Sequence, residues 1–527
     1  FFFLMSSISF VQRPQINEST NSVLIICGRT DILKEKSQTL LSKMGVEITP
    51  NLLNGLLNGS CSSFSGSTST TLLPGKDSEN YLRLSFLKTP NVFSRHNCPT
   101  RPDVVYEKLP SLLNNENQSS GDECSSTPIT IVFVLPNDSP YTEKESALSF
   151  AGALGRACPL YSRKKKSSSS ISITSGFFSS SNDTFCFEND ENFINSISIS
   201  TQSVREAAAL VDQPCNEMHV TAMVKEANDA ISKLSEDGNC KGKVTMHKCC
   251  IGKDLEAEGF GGIYGVGKAA ANPPALVVLK YEPEGESDET IAWVGKGIVY
   301  DTGGLSMKTK TTMPGMKRDM GGSAAILKAF VAAAAIGCSK TIYAVLCLAE
   351  NAVGPDATRP DDIHTLYSGV TVEINNTDAE GRLVVGDGVA YVSKHLNVDV
   401  ILDMCTLTGA QGIATGQRHA SIVCNDDSIE QNAVIAGRKS GDMCHPMPYC
   451  PELFTVEFKS YVADMKNSVK NRNNAQVSCA GQFIASHLVD YKNKWIHVDM
   501  ASPSHKGELA TGYGVLLLLQ LFVLDTK

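Results

Sequence analysis

Between residues 275 and 407, apolar stretches of strand length alternate with small, apolar stretches of helix length, and this alternation constrains the fold more than any other feature of the chain. Strands are expected over 275–279, 290–300, 341–348, 370–375 and 398–407, and helices over 322–336 and 383–395. The strand segments are almost continuously apolar, as strands buried on both faces are. Alternation of this kind implies an α/β fold with a largely parallel sheet covered by helices on either side. Such sheets gather their sites beyond the carboxyl ends of the strands. Asp301, Asp378, Glu380 and the run Cys405-Thr406-Leu407-Thr408-Gly409 all fall there.

The densest chemistry lies in Asn375-Asn376-Thr377-Asp378-Ala379-Glu380-Gly381-Arg382-Leu383, where two carboxylates and a guanidinium share five residues. An apolar segment precedes the run and a small, apolar helix pattern follows it, so it does not read as a solvated charged helix. Charge held at the end of a buried strand is costly unless it binds something. A second stretch places Lys296, Asp301, Lys308 and Asp319 among glycines 303, 304, 321 and 322 and apolar residues. The glycines suit backbone packed closely around ions. The window between the two stretches holds one histidine, His364, and no CxxC. A metal site built from them is therefore mostly oxygen-ligated, with room for two divalent cations sharing carboxylates. The competing reading is a salt-bridged cluster in which the lysines and the arginine merely neutralise the acids. Residue types alone leave the two readings level.

Both stretches resemble the signature of the leucyl aminopeptidase family, the two-metal cytosol aminopeptidases. The octapeptide NTDAEGRL, ending at Leu383, matches the family pattern without a change. The resemblance is strong over 200–527 and loose over 1–195. Longer phrases (GFGGIYGVGKAA, ENAVGPDATRPDDIHTLYSG, LTGAQGIATG and ADMKNS) resemble in particular an animal branch of the family whose members carry the name probable aminopeptidase. The resemblance implies that Asp301 and Glu380 are shared by two divalent ions, Zn or Mn before Mg or Co. It places Lys296 and Asp319 on one ion and Asp378, partly through its carbonyl, on the other. A lysine ligand must be neutral, and two cations beside it would depress its pKa. The resemblance also makes Lys308 the electrophile at the scissile carbonyl. By the same resemblance, Arg382 is expected to anchor a bicarbonate-like anion that acts as general base. It further implies that Met316, Thr406 and Gly409 line the pocket for the first side chain. The implied enzyme is a cytoplasmic homohexamer that removes an apolar, Leu- or Met-like residue from peptides with a free N-terminus by metal activation of water. An alternative on the same fold is a hexameric binding or scaffold protein with weak or no turnover, and another is a Cys-Gly dipeptidase.

A chain of 527 residues exceeds one ordinary core, so two domains are expected. The partition read here is a loose start over 1–20, a small N-terminal α/β domain over 21–195 and the catalytic α/β domain over 196–527. Low-complexity tracts over 54–72 and 164–182 read as mobile Ser-rich insertions in the first domain. The net charge of −9, without a long basic stripe, argues against nucleic acid as a partner. No apolar run is expected to span a membrane. The cysteines lie mostly in apolar contexts and read as free buried thiols. The stretch Gly262-Ile-Tyr-Gly-Val-Gly267-Lys268-Ala269 nearly spells a phosphate-binding loop, but Ala stands where Ser or Thr would hold magnesium, and no convincing strand feeds it. It reads as a turn.

Overall fold

The computed structural model describes residues 6–16, 20–58, 64–75, 80–114, 127–164, 171–236, 238 and 240–524. They divide into two compact units. One runs from the start of the chain to Arg205 and takes in Arg438–Gly441; the other comprises Glu206–Gly437 and Asp442–Leu524.

The first unit is built on strands β1 (Ser6–Phe10), β2 (Ser22–Arg29), β3 (Ser67–Pro74), β4 (Tyr81–Thr89), β5 (Ile129–Leu135), β6 (Ile171–Ser179) and β7 (Thr184–Phe185). Their order is β1-β6-β5-β2-β4-β3, with β7 on β6. The inner pairings are parallel, and β3 and β7 are antiparallel additions. Alternate residues of β2 face opposite sides of the sheet. Val23, Ile25 and Cys27 join one apolar cluster with Phe133 and Phe150, while Leu24 and Ile26 join another with Leu33 and Leu40 from the helix Thr30–Lys43. The helix Glu143–Ala157 starts on a full capping box, Thr142 with Glu145.

Three expectations for this unit need correction. The loose start contains β1, whose Phe10 stacks on Phe177 at 5.7 Å between ring centroids. Within 54–72, the described residues form the end of the helix Pro50–Leu57 and most of β3, with residues 59–63 outside those described. Within 164–182, residues 165–170 lie outside the described residues, and the rest supplies β6 in the sheet interior. Composition misled because small hydroxyl residues occupy buried strand positions: Ser175 and Ser179 are buried beside Phe177 and Phe178.

The second unit carries β8 (Gly242–Ile251), β9 (Ala275–Pro283), β10 (Thr290–Asp301), β11 (Thr341–Asn351), β12 (Ile363–Thr365), β13 (Thr371–Glu373), β14 (Val400–Cys405), β15 (Ala420–Cys424), β16 (Cys444–Pro446), β17 (Met465–Lys466), β18 (Lys494–Asp499), β19 (His505–Lys506) and β20 (Leu509–Ala510). The main sheet runs β16-β15-β18-β14-β10-β11-β9-β8. Its middle, β18-β14-β10-β11, is parallel, and antiparallel pairings flank it at β15–β18, β11–β9 and β9–β8. The mixed, centrally parallel sheet agrees with the alternation read from the sequence. The strand expected at 370–375 does not join it. That segment gives only β13, in a small sheet with β12 and β17, because the run is short and bounded by a left-handed turn at Gly369 (φ 93°). Asp378 and Glu380 therefore lead into the helix Gly381–His395 instead of ending a central strand.

The continuous helical segment Met316–Ile336 is long and apolar enough to cross a membrane, contrary to the expectation that no run would be. Its apolar window is 83% buried in the fold, however, and the segment is a core helix rich in alanine. The phosphate-loop look-alike is a short helix, Gly261–Gly267, and not the expected turn. Its glycines serve packing: a Cβ at Gly265 would stand 2.8 Å from the His364 ring, and one at Gly267 would meet Pro274 at 2.5 Å. No disulfide joins the described cysteines, and most of them are buried.

Two helices reach the sheet through glycine. A Cβ at Gly388 would stand 2.5 Å from the Cys347 sulfur, and one at Gly322 would be driven into the Met404 carbonyl oxygen. The second contact is backbone on backbone and has nothing flexible to yield. Gly322→Ala is predicted to lower unfolding stability by about 1–3 kcal/mol, read as a fall in the denaturant midpoint. An unchanged midpoint would show that the helix Gly321–Ile336 can slide on β14.

Candidate metal centre

The centre is assembled at the carboxyl end of β10. The strand enters it with Lys296 and leaves it with Asp301, and the β10–β11 register slips between Ile298 and Asp301. A bulge at this point re-aims the strand's last side chain and brings Asp301 opposite Asn351 of β11. Asn351 donates from Nδ2 to Asp301 Oδ1 at 2.8 Å and to the Thr377 carbonyl at 3.0 Å, so one amide ties the strand end to the NTDAEGRL loop. The chain after Asp301 turns through Gly303 (φ 83°) and Gly304 (φ 60°), conformations that a side chain would strain. A Cβ on Gly303 would also stand 2.9 Å from Asp378 Oδ1. Of the four glycines singled out in the sequence, 303, 304 and 322 are tightly enclosed, whereas a Cβ at Gly321 would stand 3.3 Å from Thr406 Cγ2, a milder crowding against a side chain.

Lys296 is 2% exposed. Its Nζ lies 2.8 Å from Asp319 Oδ1, 3.1 Å from Glu380 Oε1 and 2.9 Å from the Thr406 carbonyl. Gly381 makes room for it, since a Cβ there would stand 2.6 Å from Nζ. Lys308, on the irregular segment after β10, sits 2.8 Å from Asp301 Oδ2 and 2.5 Å from Asp378 Oδ1. Carboxylate oxygens of Asp301, Asp378 and Glu380 lie within 4.8 Å of one another.

Burial and crowding set the electrostatics. Desolvation, then the neighbouring Glu380, pushes Asp301 up to about 6. Asp319 is pushed well above the usual carboxylate range, chiefly by burial. Burial works against the ammonium of Lys296, but Asp319, Glu380 and Asp301 outweigh it and hold it above the ordinary lysine value. Burial likewise works against Lys308, and Asp301 and Glu380 outweigh it. Glu380 is also opposed by burial, yet the two lysines bring it below its ordinary value.

All ten residues picked out in the sequence (Lys296, Asp301, Lys308, Met316, Asp319, Asp378, Glu380, Arg382, Thr406 and Gly409) line one cavity of about 460 Å³. Arg382 donates from Nη1 to the Asn467 carbonyl at 3.0 Å and lies over the Phe483 ring at 5.9 Å. Burial draws its guanidinium down to about 10. Thr406 offers little free polarity to the cavity, because its hydroxyl donates to Asp319 Oδ1 at 2.9 Å.

The donor set fits hard divalent cations. Three carboxylates converge, and Asp319 Oδ2 and Glu380 Oε2 are buried with no hydrogen-bond partner among the described residues. Buried carboxylate oxygens without a donor are costly unless a cation satisfies them. A purely salt-bridged cluster would leave those two oxygens unexplained.

Sequence reasoning missed the residues that hold the loops in place. Asn467 accepts at Oδ1 from the backbone N–H groups of Asn375 (2.9 Å) and Asn376 (3.2 Å), and donates from Nδ2 to the Asn376 carbonyl at 2.7 Å. Thr377 donates to the Gly303 carbonyl at 2.6 Å and accepts from Ser306 N at 2.7 Å. Buried Asp499 accepts from Leu407 N at 3.1 Å and Thr408 Oγ1 at 2.7 Å, fixing the loop that carries Thr406 and Gly409. Asn467 lies within the phrase ADMKNS, so a signal was present, though only as a resemblance and without a role attached.

Residues 205–519 match the model of the cytosol aminopeptidase family, catalytic domain, and residues 21–167 that of the M17 aminopeptidase N-terminal domain 2. The chain is 53% identical over 384 residues to Probable aminopeptidase NPEPL1 of Homo sapiens, covering 72% of this chain and 71% of that one. It is 40% identical over 453 residues to Leucine aminopeptidase 1 of Caenorhabditis elegans, covering 85% of each. The structure of leucyl aminopeptidase from Trypanosoma cruzi superposes with a TM-score of 0.85 at 36% identity, covering 98% of this chain and 97% of that one. The animal branch suggested by the longer phrases is thus among its relatives, and the two-part α/β architecture agrees with these neighbours. With a family model spanning more than half its length and an acid cluster suited to divalent cations, the chain belongs to the cytosol aminopeptidase family and is a metallo-aminopeptidase.

Proposed function

We propose that this enzyme removes the N-terminal residue from peptides using two divalent cations, Zn or Mn before Mg or Co. The observation that carries the proposal is the pair of unsatisfied buried oxygens, Asp319 Oδ2 and Glu380 Oε2, in a cavity where three carboxylates already converge. Asp301 and Glu380 would be shared between the ions, Asp378 would complete one, and Asp319 the other together with Lys296, whose ammonium would have to give up its proton as the cations displace it from the acids. When bound, the cations polarise the scissile carbonyl and make a water acidic enough to attack near neutral pH.

The remaining work falls to the chain itself. Lys308 reaches the cavity on a loop, and its ammonium holds the carbonyl oxygen and stabilises the negative charge that develops there. Arg382 presents a planar fork that would hold a bicarbonate-like anion, and such an anion would supply the general base for the water. A free α-amino group would be taken as a ligand by one of the cations held by these residues, which favours substrates with an open N-terminus. Met316, Thr406 and Gly409 receive the first side chain, which the Met316 wall suits to an aliphatic stem of Leu or Met type. Family resemblance supports a homohexamer acting on peptides in the cytoplasm.

The first test uses protein loaded with Mn or Zn and paired aminoacyl substrates with free or acetylated amines. Cleavage is predicted for the free amines alone and should disappear in an Asp378→Ala/Glu380→Ala variant. Two bound metals per chain by elemental analysis without turnover on any free amine would overturn the peptidase reading in favour of a binding or scaffold protein. A second test isolates Lys308. Lys308→Met is predicted to lower kcat by about a hundredfold to a thousandfold, the cost of one oxyanion donor, with metal stoichiometry unchanged. Loss of metal together with activity would instead make Lys308 a neutralising partner of the acids.

A further inference from the structure

The cavity that holds the acid cluster also holds a cation that this chemistry leaves unused. Arg318 lies on the short helix Met316–Met320 and lines the same cavity as Met316, Gly409, Ala501 and His505. Its neighbour Lys317 is spent on structure, donating to the Asp212 carbonyl. Arg318 is not. Its guanidinium donates to the Gly507 carbonyl at 3.3 Å and has no carboxylate within ion-pairing distance among the described residues. Asp319, next in sequence, is committed to Lys296 and Thr406.

The head group is placed rather than loose. It lies against Gly315, where φ is 93° and a Cβ would stand 2.6 Å from Arg318 Nη2, so this glycine both makes the turn and clears the space. On the same side, burial and then the charge of Arg318 draw the His505 imidazole down to about 4, which leaves it neutral near pH 7. Small residues, Ala501 and Ser502, also line the cavity. Burial outweighs the charge of Asp319 and draws the Arg318 guanidinium below its ordinary value, a desolvation cost that an entering anion relieves. Its planar fork suits a carboxylate. Met316, two residues away, adds apolar surface for the methylenes that lead to such a group.

We infer that Arg318 is a specificity-determining residue that receives a carboxylate of the peptide substrate, foremost the side chain of an N-terminal Glu or Asp. The inference rests on the aminopeptidase reading and deepens it: the pocket accepts an aliphatic stem and rewards a negative charge at its end. The C-terminus of a dipeptide is the other carboxylate that could reach the guanidinium.

The test measures kcat/KM of Mn-loaded enzyme on two pairs, glutamyl α-amide against glutaminyl α-amide and Leu-Gly against Leu-Gly-amide, in wild type, Arg318→Met and Arg318→Lys. The glutamyl-to-glutaminyl ratio should fall by about tenfold to a hundredfold in Arg318→Met, the worth of a charge-assisted pair, and recover in part in Arg318→Lys. The Leu-Gly ratio should not move. Because each ratio is taken within one preparation, partial misfolding cancels. A shift confined to the Leu-Gly pair upholds the carboxylate and moves it to the dipeptide end. Ratios independent of residue 318 in both pairs overturn the inference and leave the aminopeptidase intact, whereas a wild-type enzyme inert on all four substrates overturns both.

Discussion

The fold turns on how charge is buried at the end of one strand. Lys296 stands in the middle of the sheet and is almost wholly enclosed. It persists there because Asp319 and Glu380 converge on its ammonium while the Thr406 carbonyl takes a third direction. Removing one partner from such a group leaves an uncompensated charge in a poor solvent, which costs far more than any single contact contributes. The two helices beside it, Gly321–Ile336 and Gly381–His395, begin immediately after Asp319-Met320 and Glu380. Their N-terminal dipoles favour carboxylates at those positions. Sheet, helices and acid cluster are thus consequences of one another.

Much of this was legible in the residues. The alternation over 275–407 yields the parallel middle of the main sheet, since continuous burial is what a central strand requires. The acids and lysines were visible because charge among apolar residues has few stable uses. Gly381, inside the octapeptide, shows why a motif can tolerate no side chain: the Lys296 Nζ occupies the space a Cβ would take.

What stayed hidden depends on contacts between residues far apart in sequence. Asn351, Asn467 and Asp499 are ordinary polar residues by type, and only the fold brings them to Thr377, Asn376 and Thr408. The short β13 was overread because its apolar run resembles a central strand until its neighbours are known. The serine tract around β6 was underread for the opposite reason, as buried hydroxyls conceal alternation. Periodicity reports burial only where burial is apolar.

Thr406 has a consequence for how enzymes of this kind can diversify. Its carbonyl holds Lys296, its hydroxyl holds Asp319, and the residue forms part of the cavity wall. A change at this position that resized the cavity would loosen the acid cluster in the same stroke. What the cavity admits could be altered with less harm at positions such as 316, 318, 409 and 501, which line the cavity without holding Lys296 or Asp319. One threonine with three obligations thus divides the wall of the cavity into a part that can be resized alone and a part whose resizing disturbs the acid cluster.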